Sequence, residues 1–195
     1  MATRKEQKEE RRQAILMTAL QLFVEKGYHD TKITDIAAAV PMSTGLMFHY
    51  FESKEDLLLA LVKMGADGTR ALSSGPASEA MAYVPADKYL EGFLAQLFSF
   101  AKEQPWVFNM FVLMGQVRRP GMPEEARKAA MEVDSIEFTA GLIKAGQKAG
   151  VFRKGDAVLL SRCFWSAVQG IMEEMALDKD MKSPDPAWLV GMLKA

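Results

Sequence analysis

Apolar residues along this chain recur every three or four positions, which is the spacing of one face of an α-helix. The first such run extends from about Glu6 to Lys26, and Gly27 stands where a helix commonly ends. No stretch alternates apolar and polar residues as a half-buried strand does. The pattern therefore predicts an all-α fold, in which a small N-terminal three-helix unit is joined to a helical bundle.

Two short helices separated by a tight break are expected after the first helix. They fall at 34–40 and 43–50, with Pro41 in the break and Ser43 as the N-cap of the second. A longer helix should open at Ser53, because Ser53-Lys54-Glu55-Asp56 resembles a capping box with Asp in place of the usual Glu.

The chain is expected to divide into an N-terminal domain at 1–53, with a helix-turn-helix at about 32–51, and a second domain at 54–195. Residues 115–123 of the second domain are expected to form a loop, since Gly and Pro cluster there. The predicted helices of the second domain, after the one that opens at Ser53, lie at 85–105, 106–114, 124–149, 156–177 and 187–193.

Composition narrows the class of protein. Of the 195 residues, 49% are hydrophobic and 25% are charged, and the formal net charge is -1, so any nucleic-acid surface must be local. The single cysteine, Cys163, excludes an internal disulfide and a multi-cysteine metal site, and we expect it to be a small buried filler. Neither a signal peptide nor a membrane span is evident, which favours a cytoplasmic protein.

Motifs of nucleotide-binding, hydrolytic and metal-dependent enzymes are missing from the sequence. Both histidines, His29 and His49, lie beside the short helices and far along the chain from the predicted bundle. We therefore expect no catalytic residue, no cofactor and no metal, and the chain is predicted not to be an enzyme.

The segment 31–51 carries the most specific signal. Two short helices joined by a tight turn match the helix-turn-helix plan, in which the second helix enters the DNA major groove. Met47 and Phe51 should face the core, whereas the exposed face should carry Thr44, Leu46, Phe48 and His49. Exposed apolar side chains on such a helix suit contact with thymine methyl groups.

Residues 14–39 read AILxxALxLFxxxGYxxTxIxDIAxA, and residues 43–57 read SxGLxFHYFxSKEDL. This pattern resembles the TetR (tetracycline-repressor-like) family of transcriptional regulators, over about residues 7–62. Three positions depart from the family pattern. Pro41 replaces the usual turn Gly, and we expect its ring to keep φ near −65°. Lys32 replaces a Ser/Thr helix cap, which leaves Thr31 as the expected cap, and Phe48 replaces the commonest Tyr.

The resemblance implies a set of DNA-contacting residues around the two short helices. Lys54 is unfavourable at a helix N-terminus, so a nearby anion is expected, and the resemblance implies that it contacts a phosphate. Leu46 and Thr44 should reach base edges. The full expected DNA-binding set is Lys32, Thr34, Ser43, Thr44, Gly45, Leu46, Phe48, His49, Tyr50 and Lys54.

The second domain is rich in aromatic residues and methionine, which are first of all core residues but also suit an adaptable ligand pocket. A pocket between the helices is therefore expected to bind a small, largely hydrophobic effector. The residues expected to line it are Phe93, Phe98, Trp106, Met110, Phe111, Met114, Phe138 and Trp165.

The helix at 156–177 is apolar on two faces, so one face is free for a second copy of the chain. Small residues on it permit close helix approach. The expected dimer interface comprises Trp165, Ala167, Val168, Gly170, Met172, Trp188 and Leu189.

These observations favour one functional hypothesis. The chain is expected to be a homodimeric transcriptional regulator, most simply a repressor, that binds a near-palindromic double-stranded DNA operator and is released by the effector. No membrane partner is expected. The alternative is an α-helical small-molecule carrier or enzyme that retains the helix-turn-helix module for packing.

Overall fold

The computed structural model describes residues 3–74, 84–132 and 135–194. Within these ranges the regular structure is helical, and a single isolated bridge joins Phe152 to Lys194. The expected all-α class is confirmed. The helices are α1 (Arg4–Lys26), α2 (Ile33–Ala39), α3 (Thr44–Met47), α4 (Lys54–Ser74), α5 (Ala86–Glu103), α6 (Trp106–Val117), α7 (Glu124–Met131), α8 (Ser135–Lys148), α9 (Ala157–Leu177) and α10 (Pro186–Gly191).

A first core lies between the N-terminal helices. The buried face of α1, with Leu20 and Phe23 at its centre, packs against Ile36 of α2, Met47 of α3 and Leu57 of α4. Burial of each large apolar side chain stabilises the fold by about 1.5–3 kcal/mol. The same core also takes in residues of α6 and α7, so its packing crosses the boundary predicted at residue 53.

A second core joins the remaining helices. Phe164, Val168 and Met172 on the inner face of α9 are completely buried, and they pack with Leu94 of α5 and Ile143 of α8. Helix α6 borders both cores, because Met110 and Leu113 belong to the first and Val107 and Phe108 to the second. This helix therefore connects the helix-turn-helix side of the molecule to the bundle.

The sequence predicted one helix at 124–149, whereas the structure has two, α7 and α8. Each has a different partner: Ala126 and Ala130 of α7 pack into the first core, and Ala140 and Ile143 of α8 pack into the second. A single straight helix would not pack into both cores. The residues between them, 133–134, include Val133 of the predicted apolar stripe and lie outside the described residues.

The predicted loop at 115–123 begins too early, because α6 continues to Val117. Gly115 lies inside this helix, where a Cβ atom would come within 2.9 Å of Oε1 of Glu173 on α9. The glycine is therefore explained by close packing between α6 and α9 and does not mark a turn.

Lys194, at the end of the described residues, forms ion pairs with α5. Nζ of Lys194 lies 3.0 Å from Oδ2 of Asp87 and 3.1 Å from Oε1 of Glu91, and Nε of Arg153 donates to the carbonyl of Lys194 at 3.0 Å. Burial pushes the pKa of Asp87 upward, but the hydrogen bonds and charges of Lys194 and Lys88 together outweigh it and hold that pKa below its usual value. Hydrogen bonds from Lys88 and then Lys194 lower the pKa of Glu91.

No helix in the described ranges combines the length and the apolar character that crossing a membrane requires.

Candidate nucleic-acid interface

Helices α2 and α3 are held against the first core by a few buried side chains. Ile36 and Met47 are fully buried, and Phe51 just after α3 is 2% exposed. Ser43 caps α3, since its Oγ accepts a hydrogen bond from the backbone N–H of Leu46 at 3.1 Å. These contacts fix the orientation of α3 relative to the module.

The opposite face of α3 is open. Leu46 is 36% exposed and Phe48 is 50% exposed, and His49 and Gly45 are exposed as well. A Cβ atom at Gly45 would meet no described residue within 4 Å, so another molecule can approach its backbone. This face combines apolar side chains with an accessible main chain.

The other residues expected to contact DNA lie in or next to α2 and α3 and differ in exposure. Lys32 and Thr34 are exposed at the start of α2, and Thr44 and Tyr50 are half-buried at the two ends of the α3 turn. The structure thus leaves these four side chains at least partly accessible to another molecule, and their DNA contacts stay a prediction.

Pro41 in the turn between α2 and α3 has a φ of 22°, which is positive. The expectation that the ring would hold φ near −65° is therefore wrong. The turn is closed by the N–H of Met42, which donates to the carbonyl of Ala37 at 2.9 Å. Because a proline ring opposes positive φ, the turn stores strain on the order of 1–3 kcal/mol.

Thr31 does not cap α2, contrary to expectation. Its hydroxyl is buried and donates to the carbonyl of Gly27 at 2.8 Å or of Leu22 at 3.1 Å, so it closes the end of α1. The N-cap residue of α2 is Lys32, whose N–H donates to Oδ2 of Asp35 at 3.1 Å. A buried hydroxyl needs a partner, and carbonyls at the C-terminal end of α1 supply one.

Lys54 makes internal hydrogen bonds in the structure, and its expected phosphate contact stays a prediction. Its Nζ donates to the carbonyls of Tyr28 at 2.8 Å, Thr31 at 3.0 Å and His29 at 3.3 Å. An ammonium group has three N–H donors, so all of them are used. These carbonyls supply the negative partner that a lysine at a helix N-terminus was expected to require, so no phosphate is needed to explain it.

Tyr28 is the residue of this site that the sequence left without a role. Its ring lies 4.4 Å from Nζ of Lys54, and its hydroxyl donates to Oε1 of Glu55 at 3.1 Å. Burial, together with the hydrogen bond and charge of Glu55, raises the pKa of Tyr28 above its ordinary value. The available signal was the pair Gly27-Tyr28 directly after a helix, but nothing local indicated its partners.

The residues expected to line a ligand pocket do not form one cluster. Met110 and Met114 pack into or against the first core, and Phe98 is 3% exposed within the second. Trp106 borders both cores, and the remaining side chains flank the second: Phe93, Phe111, Phe138 and Trp165. Met110 and Met114 instead pack against Gly65 of α4. A Cβ atom at Gly65 would lie 2.9 Å from Sδ of Met110.

A groove of about 420 Å³ lies elsewhere, between α1 and α4. None of the eight expected pocket residues lines it. Its walls are Arg12, Gln13, Leu16, Asp56, Leu59, Ala60, Lys63, Met64 and Asp67. Charges of both signs on these walls distinguish it from the apolar pocket that the sequence predicted.

Several residues expected at a dimer interface are buried inside the single chain. Val168 and Met172 are 0% exposed and Leu189 is 7% exposed, so their assignment to an interface is wrong. Trp165 also packs internally, with Nε1 donating to Oγ1 of Thr139 at 2.9 Å. Val168 and Met172 lie on the core face of α9, which sequence spacing did not distinguish from its outer face.

The outer face of α9 is open in the single chain. Leu159 is 61% exposed and Leu177 is 82% exposed, and Gly170 between them is exposed. Ala167 is half-buried beside it, and Trp188 of α10 is 72% exposed. Cys163 lies on this outer face and is exposed, so its prediction as a buried filler is wrong.

The described residues place no three His, Cys, Asp or Glu side chains close enough to hold a metal ion.

The geometry of α2 and α3 and the comparison with known sequences together indicate the class of protein. The fold and the open face of α3 are those of a helix-turn-helix module on a helical bundle. Residues 15–61 match the model of the family described as "Bacterial regulatory proteins, tetR family". The regulator HbdR from Aromatoleum sp. (strain CIB) is 46% identical over 55 residues, which are 28% of this chain and 24% of HbdR. The chain thus spans about a quarter of the length of such curated relatives.

Solved structures extend the similarity to the whole fold. A TetR-family regulator from Agrobacterium tumefaciens superposes with a TM-score of 0.74 at 17% identity, covering 96% of this chain and 99% of that one. AibR, solved in complex with isovaleryl coenzyme A and operator DNA, has a TM-score of 0.72 at 21% identity and covers 94% and 98%. At such identities the likeness establishes the fold. Residues 15–61 are thus similar to the DNA-binding region of the tetR family, and the fold of the described residues is that of solved TetR-family regulators.

Proposed function

We propose that this protein is a DNA-binding transcriptional regulator. The observation that carries the proposal is the open face of α3, where Leu46 and Phe48 are exposed. The opposite side of this helix is anchored in the core by Met47. Exposed apolar side chains cost free energy in water, and thymine methyl groups in a major groove would cover them. The similarity of residues 15–61 to the DNA-binding family supports the same function.

The regulator is proposed to act as a homodimer through the outer face of α9. Leu159 and Leu177 are exposed, and the small side chains of Cys163, Ser166 and Gly170 lie between them at helical spacing. Small residues let two helices approach closely, and a second copy would bury both leucines. Two recognition helices related by a two-fold axis would then bind a near-palindromic operator.

A small effector is proposed to control DNA binding from the bundle. Helix α6 could transmit the effect of a ligand, because it packs in both cores and contacts α4 at Gly65. A ligand that displaced α6 would act on α4 and therefore on the spacing of the recognition helices. AibR was solved with both a ligand and operator DNA, which supports this arrangement by analogy. We propose that the regulator is a repressor, released by the effector.

The direct test is retention of duplex DNA by the full chain at low and moderate salt, followed by selection from random duplexes that include the gene's upstream region. We expect selective enrichment of a near-palindromic site, with affinity that falls as salt rises. Failure to retain any duplex at low salt would overturn the proposal. It would favour the carrier or enzyme alternative.

A further inference from the structure

A polar pair on α9 lies against α6, within the mainly apolar bundle. Nε2 of Gln169 donates to the carbonyl of Phe111 at 2.8 Å and to Oε1 of Glu173 at 2.7 Å. Both side chains are half-buried. A Cβ atom at Gly115 would lie 2.9 Å from Oε1 of Glu173 and 3.0 Å from Nε2 of Gln169, so only glycine leaves room for this pair.

The pair offers acceptors and no donor. Both N–H groups of the Gln169 amide are used, which leaves its Oε1 and the second carboxylate oxygen of Glu173 as acceptors. Among the described residues, no Lys, Arg or His comes within ion-pairing distance of Glu173. The carboxylate keeps its negative charge uncompensated by a neighbouring cation, so the pair of side chains is complementary to a bound positive group.

Aromatic rings extend the same surface of α9. Trp165 precedes Gln169 by one helical turn and lies on the same face of the helix. Its ring meets the edge of Phe93 with centroids 5.9 Å apart, and its Nε1 donates to Thr139 and Ser135. The indole therefore has no free donor, and its half-buried π surface lies one helical turn before Gln169. Organic cations are attracted to such a surface.

We propose that Glu173 and Gln169, with Trp165 beside them, bind the ammonium or amidinium group of an apolar organic cation. Helix α6 would support this site through Gly115 and the carbonyl of Phe111. The identification of this cation as the effector rests on the proposed function, whereas its binding does not. The proposed ligand adds a positive group to the small, largely hydrophobic effector that the sequence favoured.

The test is calorimetric titration of the full chain with three probes that share one body: phenylbutylamine, phenylbutanol and phenylbutyrate. We expect the amine to bind about tenfold or more tightly than the other two. Glu173→Gln should abolish this preference while keeping the shape of the side chain. Glu174→Gln is the matched control, because Glu174 is the exposed neighbour on the same helix, and it should keep the preference.

Equal affinities for the three probes in the natural protein would overturn the proposal, and this result does not depend on how any variant folds. A preference for the amine that survives Glu173→Gln would also overturn it. The same preparation is tested for duplex retention. Retention without amine preference defeats this site alone, whereas amine preference without retention defeats the proposed function alone.

Discussion

Nζ of Lys54 donates to the carbonyl of Tyr28 at 2.8 Å and lies 4.4 Å from the centroid of the same residue's ring. One ammonium group thus holds both the main chain and the side chain of Tyr28. The hydroxyl of Tyr28 also donates to Glu55, so the first turn of α4 and the connection between α1 and α2 are joined twice. A movement of α4 would carry this connection with it.

Replacement of Lys54 tests this junction. Lys54→Met keeps the aliphatic stem but removes the bonds to three carbonyls, of which those of Tyr28 and Thr31 are partly buried and that of His29 is exposed. We expect the free energy of unfolding to fall by about 2 kcal/mol, since hydrogen bonds to charged groups are worth about 1.5–3 kcal/mol each and are not additive. Urea unfolding measures this change. Lys63→Met, at an exposed lysine of the same helix, should change stability by less than about 0.5 kcal/mol.

The salt dependence of DNA binding separates an internal role of Lys54 from a phosphate contact. Loss of a phosphate contact would lower the slope of log affinity against log salt by about one per half-site. Because the ammonium group is already bound to carbonyls, we expect Lys54→Met to weaken DNA binding with little change in this slope. A drop of about one per half-site would show that the lysine leaves the carbonyls to bind phosphate.

Truncation of Leu46 tests base recognition by α3. Leu46→Ala should weaken binding to the preferred operator by on the order of 1 kcal/mol and relax selectivity at one base pair in each half-site, because an apolar contact with a thymine methyl is lost. Selection from random duplexes measures both effects. Met192→Ala removes an apolar side chain of similar exposure, 39% against 36% for Leu46, that belongs neither to α3 nor to the outer face of α9, and it should leave the selected sequence unchanged. An unchanged preference in Leu46→Ala would contradict this role.

The turn at Pro41 predicts a stabilising substitution. Pro41→Gly should relieve strain on the order of 1–3 kcal/mol, offset by about 0.5–1 kcal/mol for the greater freedom of glycine in the unfolded chain. We expect a net gain on the order of 1 kcal/mol in urea unfolding. Pro105→Gly is the control, since Pro105 has an ordinary φ of -58° and its replacement should destabilise the protein. A loss of stability in Pro41→Gly would mean that the turn is not strained.

Charge on the outer face of α9 should prevent dimer formation. Gly170→Arg places a large cation where a Cβ atom meets no described residue within 4 Å, so the folded chain should tolerate it. We expect sedimentation to show a dimer for the natural protein and a monomer with weakened operator binding for the variant. Gly92→Arg introduces the same charge at an open glycine of α5 and should remain dimeric. A natural protein that is monomeric at micromolar concentration would refute the interface.

Ion pairs of Lys194 predict how stability depends on pH. The pKa values of Asp87 and Glu91 are lowered in the fold, so the unfolded chain takes up protons first and stability falls as pH drops through about 4. Lys194→Met should be less stable than the natural protein at about pH 7, and this difference should shrink below about pH 4. Unfolding by urea across this range is the measurement.

Lys128→Met is the control for Lys194, because Lys128 pairs with Glu124 at 2.7 Å on an exposed helix surface. Exposed pairs within one helix contribute little, so the loss at about pH 7 should be smaller than for Lys194→Met. A difference between Lys194→Met and the natural protein that stays constant from about pH 7 to pH 3 would show that the carboxylates are not the cause.

Features that depend on neighbours along the chain were predictable from the sequence. The all-α class followed from apolar spacing, and the cap at Ser43 followed from a serine that precedes a helical run. Met47 and Phe51 were expected in the core and are buried there. Each of these features is set within one or two helical turns, where residue type and spacing determine the local backbone.

Tertiary packing decided the features that depend on which surfaces meet. The sequence marked α9 as apolar on two sides, but only the positions of α5 and α8 show that Val168 and Met172 face the core and Cys163 faces outward. The sequence alone shows that Lys54 is charged and lies near the N-terminus of a predicted helix. Its three carbonyl partners lie 23 to 26 residues earlier in the chain and reach it only through folding. The sequence by itself determined that the chain forms helices with a DNA-binding pattern, because those signals are local, whereas the choice of partners for each side chain required the assembled cores.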